Sequence, residues 1–302
     1  MKTLVTGATG FIGSQLVSRL EQAVILSRDP ARAREKFPGA EAYAWQPEKS
    51  PPPLEALSGV EAVIHLAGEP IAEGRWSAER KRLILESRVQ GTRALVEAIK
   101  AVNPRPRVLV SASAVGFYGD RAEEELDESS SPGEGFLAEV CRKWEAQARA
   151  AEELGLRVVC VRNGLVLSEK GGALVRLLSL FRKGLGGKLG SGRQWMSWIH
   201  LDDAVGILLA ARDHAQLRGP VNAVSPQPVT NAEFTKALSA ALGKKAFFAV
   251  PRFALRLTLG EMSQVLTASQ RVFPRAALQA GYAFRFSDLH SALSDIVSRL
   301  NQ

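Results

Sequence analysis

Three glycines near the start of the chain have a spacing that suits phosphate binding. A short apolar segment, Thr3–Thr6, leads directly into Gly7, Gly10 and Gly13, and a helical pattern follows. Glycines at such positions permit a sharp bend and let the main chain approach a diphosphate, which the N–H groups of the helix start then bind. The alternative is a tight turn without a ligand. The predicted dinucleotide contacts are Gly7, Thr9, Gly10, Phe11, Ile12 and Gly13.

The end of the second predicted strand indicates which dinucleotide would bind. NAD-binding folds usually place a carboxylate there, about 20 residues after the glycines, to hold the ribose 2′-hydroxyl. This chain instead has Ser27 and Arg28, and a guanidinium binds a 2′-phosphate through charged hydrogen bonds. Asp29 complicates this assignment, but the following Pro30 is typical of a helix start, so we expect Asp29 to cap that helix. The sequence therefore favours NADP(H) over NAD(H).

An alternation of strands and helices must position these residues. Strands that are apolar throughout, separated by amphipathic helices, are typical of a parallel sheet covered on both faces. We therefore predict an α/β fold, a doubly wound parallel sheet of the Rossmann type, with ligands beyond the carboxyl ends of its strands. The predicted strands are Thr3–Thr6, Ala23–Ser27, Ala62–Leu66, Arg107–Ser111 and Arg157–Arg162, and the predicted helices are Phe11–Leu20, Ala78–Val102 and Leu137–Leu154.

The 302 residues are enough for two lobes. Residues 1–165 are predicted to form the NADP-binding Rossmann domain, which residues 198–224 complete. Residues 166–197 and 225–302 are predicted to form a smaller substrate-binding lobe, with a strand at Phe247–Val250 and a final helix at Asp288–Leu300. The acidic stretch Arg121–Gly135 has little to bury and is expected to be a mobile loop.

Composition excludes several classes of protein. With 46% hydrophobic and 23% charged residues the chain can bury a core, and its net charge of +8 comes from scattered arginines. Without a basic run interleaved with aromatics we expect no nucleic-acid partner, and without an apolar run of about 18 residues no membrane span. Cys141 and Cys160 lack metal-ligand spacing, so we expect no metal and a reducing, cytoplasmic location. A small-molecule substrate and a monomer or homodimer complete this expectation.

The chain resembles the extended short-chain dehydrogenase/reductase superfamily. The resemblance rests on TGATGFIG, on VIHLAG at 63–68, on SASAVGFYG at 111–119 and on WIHLDDAV at 198–205. More narrowly, FLAEVCRKWE and LGSGRQWMSWIHLDD are similar to the epimerase-family subgroup once labelled cell-division-inhibitor-like nucleoside-diphosphate-sugar epimerases. The resemblance implies an NADP(H)-binding lobe below a C-terminal lobe, with no established substrate. The further cofactor contacts that it implies are Leu66, Ala67, Gly68, Ser111, Ala112 and Ser113.

The residues that carry catalysis in the superfamily are missing here. In typical members a helix begins with Tyr-x-x-x-Lys, in which the lysine binds the nicotinamide ribose and lowers the pKa of the tyrosine, the proton donor. Phe136 and Val140 stand at those places in this chain. The usual serine is also displaced, because Ala114 stands at its place and Ser113 lies one residue early.

Three other residues are candidates for the chemistry. Tyr118 is a phenol near the nicotinamide end, although the corresponding tyrosine of sugar-modifying relatives is usually structural. Lys143 lies about two helical turns after Phe136 and is a candidate cofactor contact and catalyst, or else a solvated lysine. Glu69 follows HLAG and faces either the reaction or a helix start. We interpret His200 as a buried strand histidine.

The predicted second lobe offers aromatic and cationic groups for a substrate. Arg193, Trp195 and Trp198 follow a glycine-rich run, and Trp76 comes from the loop after a predicted strand. Aromatic faces and a guanidinium suit a planar or anionic ligand. The alternative is that these tryptophans seal the contact between the lobes. Asp202 and Asp203 are expected to cap the helix that follows, with Asp202 favoured.

Taken together, these observations predict an NADP(H)-dependent oxidoreductase that acts on a small polar substrate without the usual dyad. Two alternatives stay open. A sensor that binds NADP(H) without turnover would explain the missing tyrosine and lysine. A nucleotide-sugar epimerase would fit the subgroup, although epimerisation through a keto intermediate also requires proton transfer.

Overall fold

The computed structural model describes residues 1–246 and 248–300. Phe247, Asn301 and Gln302, which fall in the predicted small lobe, lie outside the described residues. The strands are β1 (Lys2–Thr6), β2 (Gln22–Ser27), β3 (Glu41–Ala44), β4 (Ala62–His65), β5 (Val108–Ala114), β6 (Glu125–Leu126), β7 (Arg157–Asn163), β8 (Leu165–Leu167), β9 (Gly187–Leu189), β10 (Trp195–Met196), β11 (Trp198–His200), β12 (Gly219–Ala223), β13 (Val229–Thr230), β14 (Phe248–Val250) and β15 (Arg271–Val272).

Helices connect these strands. The α-helices are α1 (Phe11–Val17), α2 (Pro30–Lys36), α3 (Ala78–Ala101), α4 (Phe136–Arg149), α5 (Gly172–Arg182), α6 (Leu201–Asp213), α7 (Asn231–Ala241), α8 (Arg252–Leu259), α9 (Gln264–Thr267), α10 (Arg275–Gln279) and α11 (Leu289–Arg299). Short 3₁₀ turns lie at Leu54–Leu57, Val115–Tyr118, Ala150–Leu154 and Gly260–Ser263.

The described residues contain a central seven-stranded sheet with the order β12-β7-β5-β4-β1-β2-β3. Every pair of neighbouring strands in it is parallel. The strand order reverses beside β1, so the crevice at the carboxyl ends of β1 and β4 is the expected ligand position. This sheet and its flanking helices confirm the predicted α/β doubly wound Rossmann fold.

Alternating side chains of the strands form two hydrophobic cores. Val5 and Ile25 point to the face that α1 and α6 cover, where Leu16 and Ile207 pack. Their chain neighbours point to the opposite face and pack against α3, in a cluster that includes Leu4, Val24, Val63, Leu95 and Ile99. Because both faces are covered, nearly every strand residue is apolar, which is the pattern that indicated a parallel sheet.

Within residues 198–224, α6 and β12 pack on or pair with the large sheet, whereas β11 pairs with β8 outside it. β12 pairs with β7, and α6 packs on the face of α1. Both β12 and β3 lie at edges of the sheet and were absent from the predicted strands. A separate core of α5, α7 and α11 side chains lies beyond the sheet, in the region of the predicted small lobe. The domain boundaries themselves stay a prediction.

Two local predictions are wrong, and one is right. The stretch Arg121–Gly135 is held down, because Leu126 is fully buried and β6 pairs with β15. The N-cap of α6 is His200, whose Nδ1 accepts from the N–H of Asp202, so neither aspartate is the cap. An imidazole acceptor can satisfy an orphan N–H as a carboxylate does. Asp29 caps α2 as predicted, accepting from the N–H of Arg32.

Candidate functional site

The glycine loop between β1 and α1 forms a cradle that side chains would fill. Gly7 has φ +70°, and a Cβ there would lie 2.9 Å from the Leu66 carbonyl carbon. A Cβ on Gly13 would lie 2.8 Å from the Cα of Ala8. Gly10 donates from its N–H to the Gly7 carbonyl at 3.1 Å and is the N-cap of α1. The loop therefore keeps its backbone open for a phosphate group, as the residue types suggested.

The loop after β4 is fastened to the glycine loop by buried side chains. Thr6 Oγ1 accepts from the N–H groups of Leu66 at 3.2 Å and Ala67 at 3.1 Å. The same hydroxyl lies 2.7 Å from Nδ1 of His65, whose Nε2 lies 3.0 Å from Thr92 Oγ1. Burial, with a smaller effect of Arg88, lowers the pKa of His65 to about 4. A neutral imidazole thus holds the two loops in register.

Two cations lie at the outer end of the glycine loop. Arg28 follows β2 and has an exposed side chain, and its Nη1 is 3.5 Å from Glu69 Oε1. Lys36, in the last turn of α2, donates from Nζ to Ser14 Oγ at 2.6 Å and to the Thr9 carbonyl at 3.3 Å. Positive charge at this edge favours a phosphorylated ligand. Ser27 is engaged locally, because its Oγ donates to the Asp29 carbonyl.

Glu69 is paired with two arginines. Its Oε2 accepts from Arg80 Nη1 at 3.2 Å, while Oε1 faces Arg28. The helix α3 starts later, with Ser77 as its N-cap, so Glu69 is not a helix-start carboxylate. The geometry gives Glu69 a bridging position between the loop after β2 and α3.

The end of β5 leads into a buried polar network instead of an open catalytic site. Ser113 Oγ donates to Glu145 Oε1 at 2.6 Å, and Arg162 contacts both carboxylate oxygens of Glu145 at 2.8 and 2.9 Å. Tyr118 is fully buried; its hydroxyl donates to Asn222 Oδ1 at 2.8 Å and accepts from Arg162 at 2.9 Å. Burial raises the pKa of Tyr118 to about 12.

These contacts argue against Tyr118 as a proton donor, a role that stays a prediction. A phenol that is sealed from solvent and hydrogen-bonded on both sides has no free direction toward a substrate. The buried Ser111 and Ala112 lie within β5, which extends to Ala114 and so beyond the predicted end of the strand. Among Ser111, Ala112 and Ser113, only Ser113 has a side chain that bonds to a charged group, Glu145.

Helix α4 presents apolar groups where the superfamily has its dyad. Phe136 contacts Trp76 edge to face, with centroids 5.1 Å apart, and Val140 is buried beside them. Lys143 points to solvent and pairs with Glu139 at 2.6 Å. This exposed, ion-paired position argues against Lys143 as a catalyst or cofactor contact. Seven residues of helix bring the side chain back to about the same face as Phe136 but carry it about 10 Å along the helix axis.

The predicted substrate residues do not form one cluster. Trp76 is buried and donates from Nε1 to the Ile71 carbonyl at 2.8 Å. Trp195 donates from Nε1 to Glu123 and stacks on Arg271, with Cζ 4.5 Å from its ring. Trp198 has no exposed surface and packs in the core formed by α5, α7 and α11, which favours the sealing alternative for it. Arg193 is exposed beside Trp195.

Sequence reasoning missed Lys36 and the glycine pair Gly171–Gly172. A Cβ on Gly171 would lie 2.7 Å from Cβ of Phe11, so this pair packs directly against the first residue of α1. These glycines begin the sequence GGALV at 171–175, but their contact with α1 joins residues that are far apart in the chain. Lys36 looked like an ordinary C-terminal lysine of a short helix.

Two searches of the described residues bear on other functions. Among residues 1–246 and 248–300, no group of three or more His, Cys, Asp or Glu side chains could hold a metal ion. Nor does any helix in the same ranges combine the length and hydropathy that a bilayer crossing requires.

Comparison with family models now assigns the chain. Residues 3–223 match the model of the NAD dependent epimerase/dehydratase family. The chain belongs to this family. Residues 250–296 match a second model, described as a domain of unknown function, DUF1731. The first match ends at the end of β12, and the second covers α8 to α11, so the family assignment extends over most of the fold.

Individual relatives are similar over the full length. Epimerase family protein ML0860 of Mycobacterium leprae is 37% identical, covering 99% of this chain and 96% of that protein. The chloroplastic SDR39U1 homologue of Arabidopsis thaliana is 39% identical, covering 98% and 87%. The crystal structure of human epimerase family protein SDR39U1 (isoform 2) with NADPH is 34% identical, with a TM-score of 0.87 and 99% of each chain covered. These similarities confirm the resemblance to the extended short-chain dehydrogenase/reductases and to their epimerase-family subgroup.

Proposed function

We propose that this protein binds NADPH and catalyses hydride transfer to or from a small polar substrate. The observation that carries the proposal is the open glycine cradle with Arg28 and Lys36 at its outer end and no carboxylate at the tip of β2. The human relative crystallised with NADPH supports the choice of cofactor. When bound, the cofactor would donate the hydride as NADPH or accept it as NADP⁺, and the chain's own residues would bind and orient it.

The roles of the chain's residues follow from their places. Backbone N–H groups of Gly7 to Gly13 bind the diphosphate, and Arg28 and Lys36 attract the 2′-phosphate. Leu66–Gly68 and Ser111–Ser113 line the crevice toward the nicotinamide. The substrate would enter from the side of Arg193 and Trp195. Trp76 and Phe136 exclude water from the far wall through their edge-to-face contact.

Fluorescence titration with NADPH and NADH tests the cofactor assignment. We expect unmodified protein to prefer NADPH, and Arg28→Asp and Lys36→Ala each to weaken NADPH binding about 10-fold or more while leaving NADH binding nearly unchanged. Arg82→Ala, which removes an exposed arginine of α3, is the matched control. Equal affinity of the unmodified protein for both cofactors would refute the assignment of Arg28.

A sensor that binds NADPH without turnover is the second candidate, and the site gives it specific support. Ser113 and Tyr118 are committed to the buried network around Arg162, and Phe136 has no proton to give. To separate the enzyme from the sensor, the protein is incubated with NADPH and a library of carbonyl compounds, and the absorbance of NADPH is followed over time. Steady oxidation of NADPH supports the enzyme, and tight binding without oxidation across the library supports the sensor.

We propose a reducing compartment, the cytoplasm, as the location, with the protein a monomer or homodimer. Both cysteines are free and buried, and unpaired thiols are typical of proteins in a reducing compartment. Fractionation of cells that express the chain at natural levels tests the compartment, and recovery in a membrane or secreted fraction would count against it.

A further inference from the structure

Helix α3 places two cations over the aromatic side chains of α4. Lys81 Nζ lies 5.4 Å from the centre of the Phe136 ring, and Arg88 Cζ lies 5.1 Å from the centre of the Trp144 ring. Lys81 and Arg88 are about two helical turns apart on α3, and Phe136 and Trp144 are about two turns apart on α4. The two helices therefore contact each other along matching faces. Val140, the position of the superfamily lysine, lies between the two contacts and is buried. α4 has no cation at position 140, but the neighbouring helix α3 places Lys81 and Arg88 on either side of that position.

Arg88 has no acidic partner. Its Nη1 donates to the carbonyls of Glu69 and Ile84, both at 3.0 Å. Its Nε and Nη2 make no hydrogen bond within residues 1–246 and 248–300, and no carboxylate there forms an ion pair with it, since Glu69 turns its carboxylate to Arg28 and Arg80. A partly buried guanidinium without an anion is costly. Its free donors suit a ligand rich in oxygen acceptors.

The position of Arg88 is beside the cofactor cradle. A Cβ on Gly68 would lie 3.1 Å from Arg88 Cζ and 3.3 Å from Nη2, so the loop after β4 rests directly on the guanidinium. Thr6 fastens the same loop to the end of β1. Lys81, by comparison, is paired with Glu261. Of these two α3 cations, Arg88 is thus the one with donors to spare next to the loop that faces the nicotinamide half.

We propose that Arg88 binds the nicotinamide ribose of NADPH, donating from its guanidinium to the ribose hydroxyl oxygens in place of the absent α4 lysine. The proposal rests on the proposed NADPH site. Because arginine stays protonated, Arg88 orients the cofactor and fixes its charge environment but moves no proton. Arg88 is in this sense a cofactor-binding residue, and it accounts for an α4 that carries neither tyrosine nor lysine at the usual places.

A series of cofactor fragments tests this assignment by binding alone. The fragments are 2′-phosphoadenosine 5′-diphosphate, which ends at the diphosphate, 2′-phospho-ADP-ribose, which adds the second ribose, and NADPH. We expect Arg88→Gln to weaken 2′-phospho-ADP-ribose and NADPH about 10- to 100-fold, the range for a charged hydrogen bond. Binding of the first fragment should change less than about 2-fold. Arg82→Gln, on the exposed face of α3, should change none of the three.

The same series defines what overturns the proposal. Equal weakening of all three ligands would mean a general disturbance or a diphosphate contact, and unchanged NADPH binding would mean no contact; either refutes the ribose assignment. Should Arg88→Gln fail to fold, Arg88→Met, which keeps an unbranched side chain but has no donor, replaces it, with the same step expected between the first and second fragments. Unmodified protein that binds none of the ligands refutes the NADPH site itself. That result is distinguishable from a failure of the ribose assignment, because binding is then absent before any substitution is made.

Discussion

At the scale of single residues, the buried carboxylate of Glu145 decides what its neighbours can do. It accepts from Ser113 and from two nitrogens of Arg162, and Arg162 in turn donates to Tyr118. Arg162 also stacks on Phe117, with Cζ 3.4 Å from the ring centre. Low local dielectric strengthens such a network when every member is paired and makes it costly when one is removed. The side chains of Ser113 and Tyr118 are therefore both held by this network.

Glu145→Gln should destabilise the protein by about 3 to 5 kcal/mol, because it leaves the Arg162 guanidinium buried without its anion. The matched control is Glu139→Gln on the exposed side of the same helix, where the ion pair with Lys143 is worth less than about 1 kcal/mol. Urea unfolding of both variants measures the difference. Losses of equal size would show that the buried pair contributes no more than the surface pair.

At the scale of elements, the important contact is between the two loops at the carboxyl ends of β1 and β4. β1 ends in Thr6 and β4 ends in His65. The hydrogen bond between these two side chains aligns Gly7 with Leu66. Thr92 of α3 holds the far side of the imidazole. The cradle is thus built from three elements, and its geometry depends on a histidine that stays neutral.

The stability of the protein should depend on pH through His65. The pKa of this buried group is lowered to about 4, whereas in the unfolded chain it is about 6.5. Since only the unfolded state takes up the proton in this window, the contribution is complete above pH 6.5 and is lost as the pH falls toward 4. Between pH 7 and pH 5 we expect a loss of about 2 kcal/mol in the free energy of unfolding.

His65→Gln supplies the comparison, because it removes the titration. Urea unfolding at pH 7 and pH 5 should show a smaller pH effect in this variant, and a lower stability at pH 7 from the altered contacts with Thr6 and Thr92. His290→Gln, near the start of α11, serves as the control substitution. An identical pH effect in unmodified and His65→Gln protein would mean that His65 is not the responsible group.

At the scale of the whole molecule, two aspartates at the start of α6 join the C-terminal segment to the large sheet. Asp202 pairs with Arg19, which follows α1, with Arg285 at 3.3 Å and with Arg299 of α11 at 2.9 Å. Asp203 accepts from the backbone N–H groups of Arg285 at 2.8 Å and Phe286 at 2.9 Å. Their side chains are too committed to cap the helix, which explains why His200 does so.

Asp202→Asn should loosen this junction, because three arginines lose their shared carboxylate. We expect a loss of about 2 kcal/mol in unfolding free energy and faster tryptic cleavage after Arg285 and Arg299. Asp213→Asn, which breaks only a surface pair with Arg212, is the control. Mass spectrometry of a timed digest locates the cuts. Cleavage rates that match those of the control variant would mean that Asp202 does not hold the segment.

The sequence by itself determined the features that depend on neighbouring residues. The apolar strands, the glycine bend from Gly7 to Gly13 and the Asp29 cap were predictable, since strand burial, backbone freedom and capping are local properties. The resemblance added the family, which the comparisons confirmed. The resemblance also indicated that Phe136 and Val140 stand at the places of the catalytic tyrosine and lysine.

Tertiary structure decided which side chains are free to act. Tyr118 and Trp198 were predicted site residues because of their positions in the sequence. In the fold, the hydroxyl of the buried Tyr118 accepts a hydrogen bond from Arg162, and Trp198 packs in a hydrophobic core. Edge strands such as β3 and β12 were missed because no local pattern marks them: their sequences, EAYA and GPVNA, contain no continuous run of large aliphatic residues. Lys36 and Arg88 were missed for the same reason: a charge gains its role from the loop that the fold lays against it, and no local pattern encodes that contact.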